Sequence, residues 1–243
     1  MVSFKLESWA ALAPGLESRE AWLSWLQNPQ PIDRPLGKVS LRQFPLMLRR
    51  RFSTLGKCAM GAVLPLLNEG EKIPSIFASR HGDTALTLSL LESMGRDEPM
   101  SPTGFSLAVH NAVSGLFSIA RQDLHEVTSI AANEGLVVQT LLEAVGQLQD
   151  AERVLCVVYD VPLPDLYSRY SESEPFPYAI AMIISRSEGE PFNLGPCDAL
   201  AKPIAELPND LNTESLRFLR LLVGDSTVAD TELNGVIWRI ARA

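Results

Sequence analysis

With 243 residues, a formal net charge of −8, 46% hydrophobic and 21% charged residues, the chain has enough apolar side chains to build a core and too many to remain disordered. Its isoelectric point near 5.0 argues against sequence-independent nucleic-acid binding, which needs a basic surface to displace counterions from phosphate. Three scattered cysteines, Cys58, Cys156 and Cys197, make no CxxC pair, and so sparse and odd a count fits a reducing compartment. The first residues, MVSFKLESWAAL, carry Glu7 and lack the basic-then-apolar order of a signal peptide. The apolar runs are strand-sized, so the expectation is a cytoplasmic protein without membrane insertion.

In chain order, Val2–Leu12 reads as a first strand, followed by a Pro-rich connection over Asn28–Pro35. A long helical pattern runs from Pro45 to Leu67, with Leu48, Phe52, Leu55, Ala59 and Val63 on one face. Pro74–Ser79 is a compact apolar strand, and Asp83 is placed to cap a helix reaching Met94. Ser101-Pro102 opens further helix through Phe105–Ile119. Glu126–Ala132 is β-rich, and Asn133–Leu148 follows as a helix with Val137, Leu141, Val145 and Leu148 in a stripe that Val138 and Leu142 widen. Val154–Val161 is a near-continuous apolar strand, as expected in a sheet covered on both faces. After prolines and a polar loop (Ser168–Glu174) comes the strand Tyr178–Ser185, with no helix between, so this pair is expected to be antiparallel. Beyond Ser187, prolines break the chain into short pieces, with a capped amphipathic helix over Thr213–Leu222 and a last strand over Gly235–Ala241. Alternating strands and helices give an α/β fold.

Common catalytic signatures are absent: no GxSxG elbow, no GxxxxGK[ST] loop, no GxGxxG and no HExxH. The three histidines, His81, His110 and His125, limit imidazole-based proton transfer. His81 before Gly82 reads as a loop histidine. Asp160 ends a strand where α/β sheets place ligands, although an Asp so close to Pro162 is also a common turn. Arg49-Arg50-Arg51 reads as a solvated helix face or, alternatively, as a dock for an acidic carrier protein.

One region goes further. Ser101-Pro102-Thr103-Gly104-Phe105, then His110-Asn111 through Gly115 to Ile119, then Ser129-Ile130-Ala131-Ala132-Asn133-Glu134 resembles, without a gap, the central stretch of β-ketoacyl synthases of the thiolase superfamily. Together with Ser79-Arg80-His81-Gly82-Asp83 and Tyr159-Asp160-Val161-Pro162-Leu163-Pro164, it is similar to the short synthase-like proteins of aryl polyene clusters described as chain length factors. The resemblance covers about residues 1–190. It implies a thiolase-like αβα fold: the N-terminal half of a synthase, with a mixed five-stranded sheet, helices on both faces, and residues 190–243 as an extension packed on one truncated domain.

The resemblance also places Glu134 where a synthase carries its nucleophilic cysteine. A carboxylate cannot hold an acyl chain as a thioester, so the condensing mechanism fails at its first step. Two readings of Glu134 stand: it starts the helix, with Asn133 as N-cap, or it plugs the former nucleophile pocket. The implied role is a pseudo-enzyme that heterodimerises with a catalytic β-ketoacyl synthase, meets acyl carrier protein only indirectly, and uses no cofactor or metal. The interface would involve 101–119 and 126–135, with Ser101, Pro102, Thr103, Gly104, Phe105, Asn111, Gly115 and Glu134 at it or at the partner's acyl pocket. The alternatives are a stand-alone acyl-thioester enzyme using Glu134 as base, and a purely structural stabiliser of the synthase. The chain is also about half as long as the resemblance leads one to expect.

Overall fold

The structure is a computed structural model that describes residues 1–167, 169–171, 173–198 and 211–243. Its centre is a strand pair with no solvent face. β4 (Arg153–Asp160) and β5 (Tyr178–Ser185) run antiparallel in register from Arg153↔Ser185 to Asp160↔Tyr178. All eight β5 residues are buried. Strand alternation divides them between two cores: Tyr178, Ile180, Met182 and Ile184 on one face, Ala179, Ala181 and Ile183 on the other. The small alanines let helix α3 (Thr54–Val63) lie against β5, with Leu55, Cys58, Ala59 and Ala62 buried. The opposite core packs α1 (Arg19–Gln27), α7 (Leu136–Gln147) and α8 (Glu214–Val223).

Around this pair the sheet has eight strands in the order β3-β2-β4-β5-β1-β6-β8-β7. β1 (Val2–Leu12) pairs antiparallel with β5 and with β6 (Glu190–Cys197). β2 (Ser75–Ala78) lies parallel between β4 and β3 (Val127–Ile130). β7 (Val228–Leu233) and β8 (Val236–Arg242) complete the far side. The layered α/β architecture with helices on both faces is the expected thiolase-like class, but the expected five strands are eight. The three extra strands come from residues after 189, which extend the same sheet through β1–β6 pairing. The approach is close: Gly189 has φ +111, and a Cβ there would lie 2.3 Å from the Leu6 carbonyl oxygen.

Three further expectations are corrected. The single helix over 45–67 is three pieces, α2 (Leu46–Arg49), α3 and a 3-10 turn over Leu64–Leu66; Ser53 breaks the run by N-capping α3, accepting from Gly56 N at 3.4 Å. The helical stretch over 101–119 is likewise α5 (Pro102–Leu107) and α6 (Ala112–Arg121). The helix placed at Asn133 starts at Leu136, behind Gly135 at φ +65, so Asn133 is not its cap. Asp83 does cap α4 (Thr84–Gly95), accepting from Leu86 N, and Thr213 caps α8. Of the expected polar loop, Ser168 and Glu172 lie outside the described residues, as do 199–210 with Pro203 and Pro208.

A bulge in β1 between Leu6 and Ser8 is accompanied by an ion-pair clamp at Glu7. Arg153 donates to both Glu7 oxygens at 2.7 Å and to Glu71 Oε1 at 2.7 Å, tying β1 and β4 to the loop before β2. On the α1 face, Trp22 is fully buried, its Nε1 donates to Ala11 O at 3.1 Å, and its ring meets Trp25 edge-on. Trp22→Ala is expected to cost about 3–5 kcal/mol, read as a lower urea midpoint; a loss below 1 kcal/mol would contradict this packing.

Candidate functional site

The segments singled out by sequence meet at the β3 side of the sheet. α6 is tied to β3 by Ser114 Oγ, 3.0 Å from Ser129 Oγ and donating to Asn111 O. Asn111 makes no side-chain cap. Ser101 N-caps α5 through Gly104 N at 3.1 Å, with Pro102 in the first turn. Thr103 O accepts from Ser106 Oγ. α5 has no buried residue, and neither has the twelve-residue α4, although its sequence TALTLSLLESMG is largely apolar.

Their uncovered side chains form one surface class. Phe105 is 65% exposed, Ile119 62% and Leu124 95%, and Leu91, Met94, Val109 and Val127 are also exposed. β3 pairs with β2 on one side only, so its other edge presents free backbone groups. Gly115 on α6 has nothing within 4 Å of a built Cβ, whereas at Gly104 a Cβ would touch Leu90 and Ser101 at 3.4 Å. The cavity behind α5, lined by Phe52, Leu86, Leu107, His110, Val113 and Leu116 among others, measures only about 20 Å3. That is room for about one water and not for an acyl chain.

The β3–α7 turn places Glu134 outside the helix. Glu134 and Asn133 are exposed, and Gln139 Nε2 donates to the Glu134 carbonyl oxygen at 3.0 Å. The amides that a residue in this turn would face are already engaged. Val137 N and Val138 N both donate to Glu214 Oε1 at 3.1 Å, from the first turn of α8. Burial pushes the Glu214 pKa up, while the two amides and Arg217 oppose the shift. Leu233 of β7 closes over Gly135, where a Cβ would meet its Cδ2 at 3.0 Å. Both contacts come from the C-terminal extension. Sequence reasoning missed Glu214: its Thr-Glu start marks a helix, and nothing in the order of residues pairs that start with α7.

A buried polar group sits at the carboxyl ends of β2 and β4. Asp160 Oδ1 accepts from Ser79 Oγ at 2.7 Å, and both its oxygens accept from Arg80 N at 3.1 Å. Burial nevertheless outweighs these bonds and raises the Asp160 pKa to about 7. Arg80 lies 3.7 Å from the buried Glu174 carboxylate. His110 Nε2 is 2.8 Å from Ser79 O, and His81 Nε2 is 3.2 Å from Ser171 Oγ, its pKa lowered by burial and then by Arg80. His125 bonds Asp123 in the turn before β3. None of the three imidazoles contacts Glu134. Cys58 and Cys156 are fully buried, and burial pushes both thiols far above the ordinary range; Cys197 is half-buried. Arg49 is turned onto its own loop, donating to Phe44 O and Arg42 O at 2.5 Å each, while Arg50 and Arg51 are exposed. No helix among the described residues is long and apolar enough to cross a membrane.

Residues 22–239 match the family profile of the β-ketoacyl synthase N-terminal domain. In structure the chain is similar to a chain of the ketosynthase (ApeO)–chain length factor (ApeC) complex from Xenorhabdus doucetiae, with 25% identity and a TM-score of 0.82 over 100% of both chains. The ishigamide ketosynthase/chain length factor matches with TM-score 0.62 and 11% identity, over 80% of this chain and 68% of the other. A chain of the AntDE:AntF complex, a type II acyl-carrier protein with its ketosynthase, matches with TM-score 0.54 and 14% identity, over 76% and 63%. These last two show the fold alone. No curated protein matches the chain.

Glu214→Ala strands two buried amides and is expected to cost about 1–3 kcal/mol; Glu214→Gln, which keeps an oxygen for them, should cost less. Equal urea midpoints for Glu214→Ala and the parent chain would remove the capping role. Asp160 keeps its proton in the fold up to about pH 7, whereas an unfolded aspartate loses it near pH ~4. Its contribution to stability is therefore full below about pH 4 and is lost as pH rises towards 7. Asp160→Asn should flatten the stability profile across that window, gaining on the parent chain as pH rises. Parallel profiles would contradict the protonated state.

Proposed function

The chain belongs to the β-ketoacyl synthase family through its N-terminal domain, and from that premise we propose that it is a non-catalytic, chain-length-factor-type subunit. It pairs with a catalytic ketosynthase in polyketide-type synthesis, and by resemblance in the making of an aryl polyene. The observation that carries this reading is the uncovered β3 edge at the side of the sheet where Leu91, Met94, Phe105 and Ile119 of α4, α5 and α6 are exposed. An unpaired edge strand beside a broad apolar patch is the surface of a protein that associates. A full-length structural likeness to a chain of a ketosynthase–chain length factor complex supports the same partner.

The non-catalytic part rests on Glu134 at the nucleophile position and on the depth of Cys58 and Cys156. Glu134 has no side-chain hydrogen bond among the described residues, which leaves a stand-alone thioester hydrolysis through it without a proton-transfer partner. In the heterodimer, Thr103-Gly104-Phe105 faces the partner's acyl pocket: Gly104 adds no side chain there and the exposed Phe105 ring walls it. Acyl carrier protein is then met mainly by the catalytic subunit.

Co-expression with candidate synthases, gel filtration and an elongation assay with carrier-bound substrate test the reading. The expected result is a stable heterodimer, split by Ile119→Asp combined with Leu124→Asp. Gly104→Phe should leave the heterodimer intact and shorten the product; an unchanged product would reduce the role to structural support. A chain that stays monomeric beside every synthase tested would sink the proposal, and acyl loading on this chain alone would replace it with the enzyme reading.

A further inference from the structure

Two of the exposed helices are attached to the fold chiefly at their ends. α4 and α5 bury no residue, and α5 leans on α4, where a Cβ at Gly104 would touch Leu90. Among the described residues, every side-chain hydrogen bond made by residues 84–107 stays within 81–107. Arg96, in the turn between the two helices, pairs with Glu92 and Glu98 of the same unit. The pair is an αα-hairpin bonded mainly to itself. At its root, Leu86 and Leu107 meet Phe52, Val113 and Leu116 of the body around the cavity of about 20 Å3, so even this contact is incompletely packed.

Both ends of the hairpin are fastened at one place. Ser79 has no exposed surface; its N donates to Ile130 O at 3.1 Å and its Oγ to Asp160, so it belongs to the sheet. Four residues on, Asp83 starts α4. Three residues beyond α5, His110 returns to the same point, its Nε2 2.8 Å from Ser79 O across 31 residues of chain. A carbonyl only accepts, so Nε2 carries the proton and donates it. The imidazole also lies against the turn into α4: Gly82 has φ +61, and a Cβ there would sit 3.4 Å from His110 Cδ2. Beyond His110, α6 is fixed to β3 through Ser114 and Ser129. Residues 79–83 and 108–111 are thus the two joints about which the hairpin can swing, and His110 bridges them. We infer that His110 is a positioning residue: by locking these joints together it sets where the α4–α5 hairpin, and with it Gly104 and Phe105, stands relative to the sheet. What the hairpin is offered to rests on the subunit role proposed above; the lock itself does not.

The lock is read on the full chain by electron–electron distance measurement between spin labels. Cys197→Ser leaves only the fully buried Cys58 and Cys156, and labels go on the exposed positions Glu92→Cys of α4 and Lys57→Cys of α3. Lys57→Cys with Asp150→Cys, both exposed and outside the hairpin, is the control pair. His110→Ala should shift and broaden the distances between positions 57 and 92 and leave the control distances as in the parent chain. His110→Gln, whose amide nitrogen reaches Ser79 O as Nε2 does, should keep the parent distribution. His110→Asn, whose amide stands where Nδ1 stands, should behave as His110→Ala does. In the heterodimer, His110→Ala should spread the product over more chain lengths, and His110→Gln should restore the parent product. Parent distances in His110→Ala, displacement in His110→Gln as well, or movement of the control pair would each overturn the lock. Moved distances with an unchanged product from an intact heterodimer would overturn the positioning role. Failure of the parent chain to form any heterodimer counts against the subunit role alone, and the distances then decide the lock.

Discussion

A helix whose N-terminus is covered by protein must find acceptors inside the molecule, and that constraint organises the C-terminal third of this chain. α7 starts beneath α8 and β7, where water cannot solvate its first amides. The Glu214 side chain takes two of them, accepting from Val137 N and Val138 N. That contact ties the start of α8 to the start of α7, and α8 in turn carries the chain toward the β7–β8 hairpin. The start of α7 is occupied by the protein itself, and Glu134 is left on the outside of the turn.

What the sequence made legible is what local pattern determines. β4 and β5 were visible as uninterrupted apolar runs because both faces are covered, and the absence of a helix between them correctly implied antiparallel pairing. Asp83 and Thr213 were legible as caps because their bonds run three residues ahead. Elements that depend on distant partners were not. β6 contains Pro191 and Pro196, which argue against a strand, yet Pro196 lies beyond the Val2↔Leu194 end of β1 and so faces only β8. The five-strand expectation therefore fell short by the three strands that residues after 189 supply. α1 carries its own signal in the sequence, Ser18 as cap with Trp22, Trp25 and Leu26 at helical spacing.

The candidate site shows the same division. Ser101-Pro102 marks a helix opening and is one, and α4 is legible through its Asp83 cap. That α4 buries nothing is a tertiary fact, legible only once the sheet places it at the margin. Asn133 misleads because a good capping residue is available two positions too early, whereas the buried end of α7 has Gly135 in a left-handed turn as its cap. Glu214 is separated from the amides it caps by more than seventy residues, and no periodicity connects them.

The free margin of β3 also has a consequence for supply. A strand edge with open amides and carbonyls, bordered by Phe105, Ile119 and Leu124, pairs with whatever extended chain it meets first. Copies made in excess of whatever covers that edge would meet one another instead. If the proposed partner covers that edge, the useful quantity in the cell is a ratio: synthesis would have to be matched, copy for copy, to that of the partner.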